Sequence, residues 1–136
     1  MSAQLIVLIA LFSQMFGAPA LNGLATWYDH GTVTRSGEPF VWSAPTCAVD
    51  ASLWDMLAGR TVLVLSENGQ VTTWRVNDSG HLSEAGGFRR RSPGPGYGAT
   101  DLGDPSALRV VLDVPRDTFR MISPDGETIR VWVWVR

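Results

Sequence analysis

Residues 61–80 read TVLVLSENGQVTTWRVNDSG, and this stretch decides the fold class. Two runs rich in β-branched residues, 61–65 and 71–76, flank the dipeptide Asn68-Gly69. Asn-Gly between two such runs is a strong hairpin signal, because both residues tolerate the positive φ that a tight turn requires. The stretch therefore predicts two antiparallel strands, followed by a further turn at residues 77–80.

Further short strands are predicted on both sides of this hairpin. They are segments of apolar, β-branched and aromatic residues at 23–28, 108–112 and 128–135. A short apolar piece also follows Pro39, at residues 40–42. Many short strands favour a mainly β barrel, whereas a doubly wound α/β sheet would need a long helix after each strand.

Two brief helices and one long loop complete the prediction. Residues 50–57 have Asp50 at a suitable N-cap position, and residues 116–122 follow Pro115, which suits the start of a helix. Residues 86–106 are rich in Gly, Pro and Arg, lack periodicity and are expected to form a loop. The arginines at 89–91 within it are either solvated or bind an anionic polymer.

The last predicted strand has two different faces. Residues 129, 131, 133 and 135 are all Ile or Val, and they alternate with Arg130, Trp132 and Trp134. Two Trp on one face of a strand are typical of a surface that stacks on sugars. They are equally typical of a barrel core or of a cross-strand contact, and both interpretations stay open here.

Length and composition exclude several classes of protein. A chain of 136 residues suits one domain, and 45% hydrophobic residues with six Trp are enough for a packed core. The net charge of −2 argues against a dedicated nucleic-acid binder, which is usually basic. Cys47 is the one cysteine, so an internal disulfide is excluded, and we expect it to be a small buried side chain.

Residues 1–20 are predicted to be an export signal, which leaves residues 21–136 as the domain. Residues 5–12 form an unbroken apolar run, and Ala18-Pro19-Ala20 has the small-x-small pattern of a cleavage site. The run is shorter than a membrane span requires, and no Lys or Arg precedes it. A buried N-terminal strand or an uncleaved anchor is the alternative. Export predicts a location in the periplasm, the cell envelope or outside the cell.

Four short motifs, in chain order, resemble those of the rare lipoprotein A family, the expansins and the barwin-like endoglucanases. No single motif is specific, and it is the order of the four that carries the resemblance. It spans residues 23–136 and implies a six-stranded double-psi β-barrel with one or two short helices. The motifs are Gly23-Leu24-Ala25-Thr26-Trp27-Tyr28, then Thr34 with Gly37, Glu38 and Phe40, then Arg75-Val76-Asn77-Asp78-Ser79-Gly80, and finally Leu112-Asp113-Val114-Pro115 followed by Phe119.

The resemblance implies activity on cell-wall glycan. Active members of the family cleave peptidoglycan as lytic transglycosylases or β-glucans as hydrolases, whereas expansins loosen walls without appreciable hydrolysis. Breaking a glycosidic bond requires an acid that protonates the leaving oxygen. A lytic transglycosylase manages with one residue acting first as acid and then as base, because a sugar hydroxyl closes an anhydro ring. The expected partner is peptidoglycan or a related polysaccharide, and no metal or cofactor is implied.

Three carboxylates are the catalytic candidates. The resemblance places Asp78 at the family's catalytic aspartate, Glu38 at a glutamate of the groove, and Asp113 in the cleft opposite the first aspartate. We expect Asp78 to be the acid and base, with the other two orienting it or stabilising developing positive charge. Each also has a plain structural interpretation: a turn aspartate, a solvated loop carboxylate, and a favourable charge at the start of a helix.

Substrate contacts are expected from Tyr28, Asp29 and His81. Tyr28 either positions a sugar or belongs to the barrel wall, and Asp29 follows the aromatic pair as an aspartate does in the endoglucanase branch. The sequence departs from the family where Asp50 replaces a histidine and Ser79 replaces an arginine. His81 either takes over part of the missing role, because a neutral imidazole near a carboxylate steers protonation, or is a plain loop histidine.

These departures leave two further classes of function open. One is a non-catalytic, expansin-like module that binds the wall. The other is a structural component of a larger envelope or virion assembly.

Overall fold

A closed ring of strands forms the body of the protein. In the computed structural model, which describes residues 2–82 and 109–136, six strands pair in the ring order β1-β5-β2-β4-β3-β6. The β1–β5 and β2–β4 pairs are parallel, and the other four pairs are antiparallel. The prediction of a mainly β, six-stranded barrel is confirmed. The strands are β1 Leu21–Tyr28, β2 Thr46–Asp50, β3 Thr61–Ser66, β4 Val71–Gly80, β5 Val110–Pro115 and β6 Ile129–Val135.

Short helices join the strands. A 3-10 turn, Ala51–Leu53, leads into α2, Trp54–Leu57, and α3, Arg116–Phe119, follows β5 directly; a longer helix, α1, Ala3–Phe16, precedes β1. The Asp50 side chain accepts a hydrogen bond from the Ser52 backbone N–H at 3.2 Å, which confirms its predicted capping role. The second predicted helix is shorter than expected and ends at Phe119.

The barrel interior is filled by one face of each strand. Side chains alternate between inside and outside, so every second residue of a strand enters the core. Cys47 is fully buried there, which confirms its predicted role as a small core side chain, and burial raises the pKa of its thiol to about 12. The core residues include Ala25, Val49, Val62, Val64, Trp74, Val76, Leu112, Val114, Phe119, Ile122, Val131 and Val133.

One extra residue in β4 changes the direction of its last side chains. In the pairing with β2, Val76 faces Cys47 and Asp78 faces Ala48, so Asn77 has no partner of its own. Such a bulge shifts the alternation by one position. Asp78 therefore lies on the outer face of the barrel instead of following Val76 into the core. The turn predicted at residues 77–80 is wrong, because β4 continues to Gly80.

The outer face of β3 and β6 lies beneath α1. Leu63 pairs with Trp134 and Leu65 pairs with Trp132, so two leucines and two tryptophans form one apolar patch. Phe12 of α1 packs edge-on against Trp134 with ring centroids 5.4 Å apart. Both tryptophans are buried, and they form a cross-strand contact outside the barrel rather than part of its interior or a surface open to sugars.

Two of the predictions made from the sequence are not tested by the structure. The loop predicted at residues 86–106, with its arginines at 89–91, lies outside the described residues. Removal of residues 1–20 as an export signal stays a prediction. Within residues 2–82 and 109–136, no helix combines the length and apolar character needed to cross a membrane.

Gly23 gives a direct test of how closely β1 and β5 approach. A Cβ at this position would collide with the backbone carbonyl oxygen of Arg109 and lie 2.7 Å from Cγ1 of Val111. We expect Gly23→Ala to lower the free energy of unfolding by about 1–3 kcal/mol, because the strands must separate to admit the methyl group. Urea denaturation measures this change. The control is Thr73→Ala, at an exposed position of β4, and equal shifts in the two variants would contradict the close approach.

Candidate functional site

Two aspartates lie on either side of Ala48, on the outer face of the barrel. Ala48 of β2 pairs with Asp78 of β4 on one side and with Asp113 of β5 on the other. Neighbouring strands are about 4.8 Å apart, so β4 and β5 are separated by roughly 10 Å at this level. The methyl group of Ala48 fills little of the space between them. The arrangement brings together two carboxylates that are 35 positions apart in the sequence.

Asp78 is held by three hydrogen bonds that treat its two oxygens differently. Oδ1 accepts from the backbone N–H groups of Arg35 and Ser79, each at 2.9 Å. Oδ2 accepts from the Tyr28 hydroxyl at 3.3 Å. Because two backbone donors occupy Oδ1, Oδ2 is the oxygen with the greater capacity to hold and transfer a proton.

Asp113 is completely buried, unlike Asp78, which is half-buried. Its Oδ1 accepts a hydrogen bond from the Thr26 hydroxyl at 2.8 Å. Thr26 and Asp113 face each other in the parallel β1–β5 pair, and Tyr28 follows on the same face of β1 two residues later. The strand register therefore sets Thr26, Tyr28 and both aspartates in one cluster.

Burial and both carboxylates raise the pKa of the Tyr28 hydroxyl. Burial raises the pKa of its hydroxyl far above the ordinary value, and the negative charges of Asp78 and then Asp113 raise it further. The hydroxyl therefore keeps its proton at any physiological pH and acts as a hydrogen-bond donor. The contact between Tyr28 and Asp78 was not predicted from the sequence, and the role of Tyr28 toward a sugar stays a prediction.

Glu38 lies beside the site and is paired with an arginine. Both of its oxygens accept from the Arg75 guanidinium, with Oε2 at 2.6 Å from Nη2, and Oε1 also accepts from the Ser36 hydroxyl at 3.0 Å. The hydrogen bonds from Arg75 hold the pKa of the Glu38 carboxyl below its ordinary value. Glu38 is therefore an anion that fixes a loop, and it does not contact Asp78.

The loop fixed by Glu38 is the one that reaches Asp78. The Ser36 backbone N–H donates to the carbonyl oxygen of Asn77 at 3.0 Å, next to the bulge. The Arg35 guanidinium donates to the Ser79 hydroxyl at 2.9 Å and lies 5.0 Å from the centre of the Trp54 ring. Arg75 and Glu38 thus position the Arg35 backbone N–H that binds Asp78.

Aromatic rings lead from Tyr28 to the surface. Phe40 lies between Tyr28 and Trp42, with ring centroids 4.9 and 6.5 Å apart respectively, and Trp42 is exposed. The Arg116 guanidinium lies 4.2 Å from the centre of the Trp42 ring and 4.0 Å from the Asp29 carboxylate. Asp29 is therefore linked through Arg116 to the Trp42 end of this aromatic row.

His81 lies at the opposite end of the site. It follows the last residue of β4 and is exposed. The next residue, Leu82, donates its backbone N–H to Oδ1 of Asp50 at 3.0 Å. Asp50, which stands where the resembling family has a histidine, thus caps a helix with one oxygen and fixes the end of β4 with the other. The hydrogen bonds described for Asp78 come from the Tyr28 hydroxyl and from the backbone N–H groups of Arg35 and Ser79, and not from His81.

The structure adds three residues that the sequence did not single out. Thr26 binds Asp113, Arg35 binds Asp78 through its backbone, and Ala48 separates the two aspartates. Thr26 carried a usable signal, because it precedes Tyr28 by two positions and must share its face of the strand. In the described part of the chain, no group of three or more His, Cys, Asp or Glu is placed to hold a metal ion.

Comparison with solved structures identifies the fold as the double-psi β-barrel. An apo expansin of Clavibacter michiganensis superposes with a TM-score of 0.52 and 17% identity, over 85% of this chain and 49% of that one. A Streptomyces papain inhibitor superposes with a TM-score of 0.51 and 20% identity, over 84% of this chain and 93% of that one. This chain thus spans about half the length of the expansin. No family model matches the sequence, and no curated protein matches it either.

The Glu38–Arg75 pair predicts a specific dependence of stability on pH. The folded-state pKa of Glu38 lies below the ordinary 4.5. The pair therefore stabilises the fold above that value, and the stabilisation is lost as the pH falls through the lowered pKa. We expect Glu38→Gln to lower the urea midpoint at pH 7 and to lower it less at about pH 3.

The matched control is Glu127→Gln, on the loop before β6. It should not reproduce this pH-dependent difference from the native protein. A Glu38→Gln effect of the same size at both pH values would contradict the assigned ion pair.

Proposed function

We propose that this chain is an exported protein that acts on cell-wall glycan and cleaves peptidoglycan as a lytic transglycosylase. The observation that carries the proposal is the pairing of Asp78 and Asp113 across Ala48, with the Tyr28 hydroxyl bonded to Asp78. A half-buried aspartate beside a buried one suits acid–base chemistry on a sugar. The surface from Asp78 to the exposed ring of Trp42 would be the groove that receives the glycan. The fold it shares with an expansin is consistent with a substrate in the cell wall.

Asp78 would act as an acid in the first half of the reaction and as a base in the second. Its Oδ2 protonates the glycosidic oxygen as the bond to the anomeric carbon breaks, and the sugar passes through an oxocarbenium-like state. The primary hydroxyl of the same sugar then attacks the anomeric carbon and returns its proton to Asp78. The products are a new chain end and a 1,6-anhydro ring, so no water and no second proton donor are consumed.

Asp113 and Glu38 would support Asp78 without touching the sugar. Asp113 has no exposed surface, and its negative charge near Tyr28 favours the positive charge that develops on the sugar. Glu38 acts through Arg75, because their ion pair fixes the loop whose Arg35 backbone N–H orients Asp78. Both residues are therefore positioning or electrostatic residues in this mechanism.

The aromatic row would bind the glycan chain next to the reacting bond. Trp42 is exposed, and Phe40 connects it to Tyr28, so a sugar stacked on Trp42 lies on a path to Asp78. Asp29 belongs to the same end of the groove through Arg116. His81 would contact the glycan at the other end, past the last residue of β4.

A binding module without catalysis is the second candidate. It is favoured by the replacement of two polar family residues by Asp50 and Ser79, which removes a histidine and an arginine from the groove. The papain inhibitor of Streptomyces, which this chain covers over 93% of its length, is by its name a protein that acts by binding. A structural role in an envelope or virion assembly would use the same groove without chemistry.

Digestion of purified peptidoglycan tests the proposal. Intact and peptide-stripped material is incubated with the protein, and the soluble products are identified by mass spectrometry. We expect products that end in anhydro-muramyl sugars. Asp78→Asn should reduce their release by about 10²–10⁴-fold, because the proton carrier is lost, while binding to the wall material is retained.

Three further variants sharpen this experiment. Tyr28→Phe removes only the hydroxyl bonded to Asp78 and should lower the rate less than Asp78→Asn does. Asp55→Asn, on α2 and exposed, is the matched control and should leave the rate unchanged. Unchanged release by Asp78→Asn would remove Asp78 from the mechanism. Reducing-end products would indicate a hydrolase, and binding without any products would replace the enzyme by a binding module.

A further inference from the structure

The helix α1 is apolar except for Gln4, Ser13 and Gln14, and the barrel covers only one of its sides. Residues 1–20 contain no charged side chain. Leu5, Leu8, Ile9 and Phe12 pack on the outer patch of β3 and β6. A helix that is hydrophobic all round is normally buried on every side, in a protein core or in lipid. One side of α1 therefore still lacks the apolar partner that its composition requires.

The uncovered side of α1 is a continuous row. Val7, Leu11 and Met15 are spaced by four residues and so lie above one another on the helix. They are 55%, 48% and 68% exposed, and Ile6 beside them is 54% exposed. Contiguous exposed apolar side chains of this kind mark a surface that binds a protein or a membrane.

Positive charge lies near both ends of α1. The Arg136 guanidinium lies 5.8 Å from the centre of the Phe16 ring, at the end of α1, and Arg60 donates to the Arg136 carbonyl oxygen. At the other end, Arg130 lines a recess together with Ser2 and Glu67. Arg136 and Arg130 thus lie near opposite ends of the helix, with Glu67 beside Arg130. An apolar row between cationic ends complements an anionic lipid surface, with acyl chains at the centre and phosphates at the edges.

We propose that α1 docks the folded barrel onto an anionic lipid bilayer through the row Val7, Leu11 and Met15, in the form of the protein that keeps residues 1–20. The helix then lies between the barrel and the lipid, with one side on Trp132 and Trp134 and the other in the interface. This inference does not depend on the glycan reaction.

The ring order gives the docked barrel a defined orientation. In the order β1-β5-β2-β4-β3-β6, the strands β3 and β6 lie opposite β5 and β2. The patch beneath α1 is on β3 and β6, whereas Asp113 and Ala48 are on β5 and β2. The aspartate groove therefore faces away from the lipid. Cleavage after Ala20, predicted from the sequence, would remove the row and release the barrel.

Co-sedimentation with vesicles tests the docking. The full chain is mixed with vesicles of phosphatidylcholine alone or of phosphatidylcholine with phosphatidylglycerol. We expect it to pellet with the anionic vesicles and more weakly with the neutral ones. The double variant Val7→Gln/Leu11→Gln should bind at least about tenfold more weakly to both, since two apolar side chains no longer leave water. Arg60→Gln/Arg136→Gln should lose affinity for the anionic vesicles alone.

Matched controls separate docking from misfolding and from general stickiness. Met56→Gln/Val71→Gln replaces two exposed apolar side chains elsewhere on the surface, 68% and 44% exposed, and should bind as the native chain does. Near-UV circular dichroism confirms in each variant that the tryptophans keep their packing.

Three outcomes would overturn the proposal. They are a full chain that stays in the supernatant with both vesicle types, equal binding by Val7→Gln/Leu11→Gln, and a stable dimer by light scattering that leaves vesicles unbound. The last would assign the row to a second copy of the chain.

Discussion

The arrangement of the site depends on one extra residue in each parallel strand pair. Without the bulge at Asn77, strict alternation would send Asp78 into the barrel interior after Trp74 and Val76. An aspartate there would be buried among aliphatic side chains, at a cost of several kcal/mol unless it were paired. The corresponding irregularity in the β1–β5 pair, where Val111 is skipped, leaves Leu112 inside and Asp113 outside. The two bulges together allow two aspartates to share one outer face.

The polar groups around the site fall into two layers with different tasks. Asp113, Thr26 and Tyr28 are buried and are fixed by strand register, so their geometry is determined by the barrel itself. Arg35 and Glu38 belong to the loop after β1 and are exposed or half-exposed. They are held by an ion pair and backbone hydrogen bonds, which are individually weak at a surface. The candidate acid, Asp78, thus has one rigid neighbour in Tyr28 and one adjustable neighbour in the loop.

Local signals in the sequence predicted much of the fold, and contacts between distant segments account for what they missed. The hairpin of β3 and β4, the capping role of Asp50 and the two faces of β6 all follow from neighbouring residues. The strand β2 was missed because four of its five residues are buried, so no alternation is visible in its sequence. The end of β4 was predicted as a turn because its pairing with β2 was not known.

The site was predictable to a similar extent. Motif resemblance selected Asp78, Asp113 and Tyr28, which the fold brings together. It also selected Glu38. Its ion pair with Arg75 could not be predicted, because the folded chain brings the loop of Glu38 next to β4. Arg35 binds Asp78 through its backbone N–H, which every residue except proline possesses, so its side-chain identity carries no signal for that contact. The covering of Trp132 and Trp134 by α1 joins segments more than a hundred positions apart.

The outward placement of the aspartates separates the evolution of the core from that of the groove. The interior aliphatic residues and the side chains around the aspartates belong to different faces of the strands, so we expect substitutions on one face to disturb the other face little. Residues on the two faces can then change independently. This is consistent with a barrel fold that is shared with solved structures at 17–20% sequence identity. A deletion at Asn77 is different in kind. It would turn Asp78 from the outer face of β4 into the barrel interior. We therefore expect insertions and deletions in β4 to be selected against more strongly than substitutions.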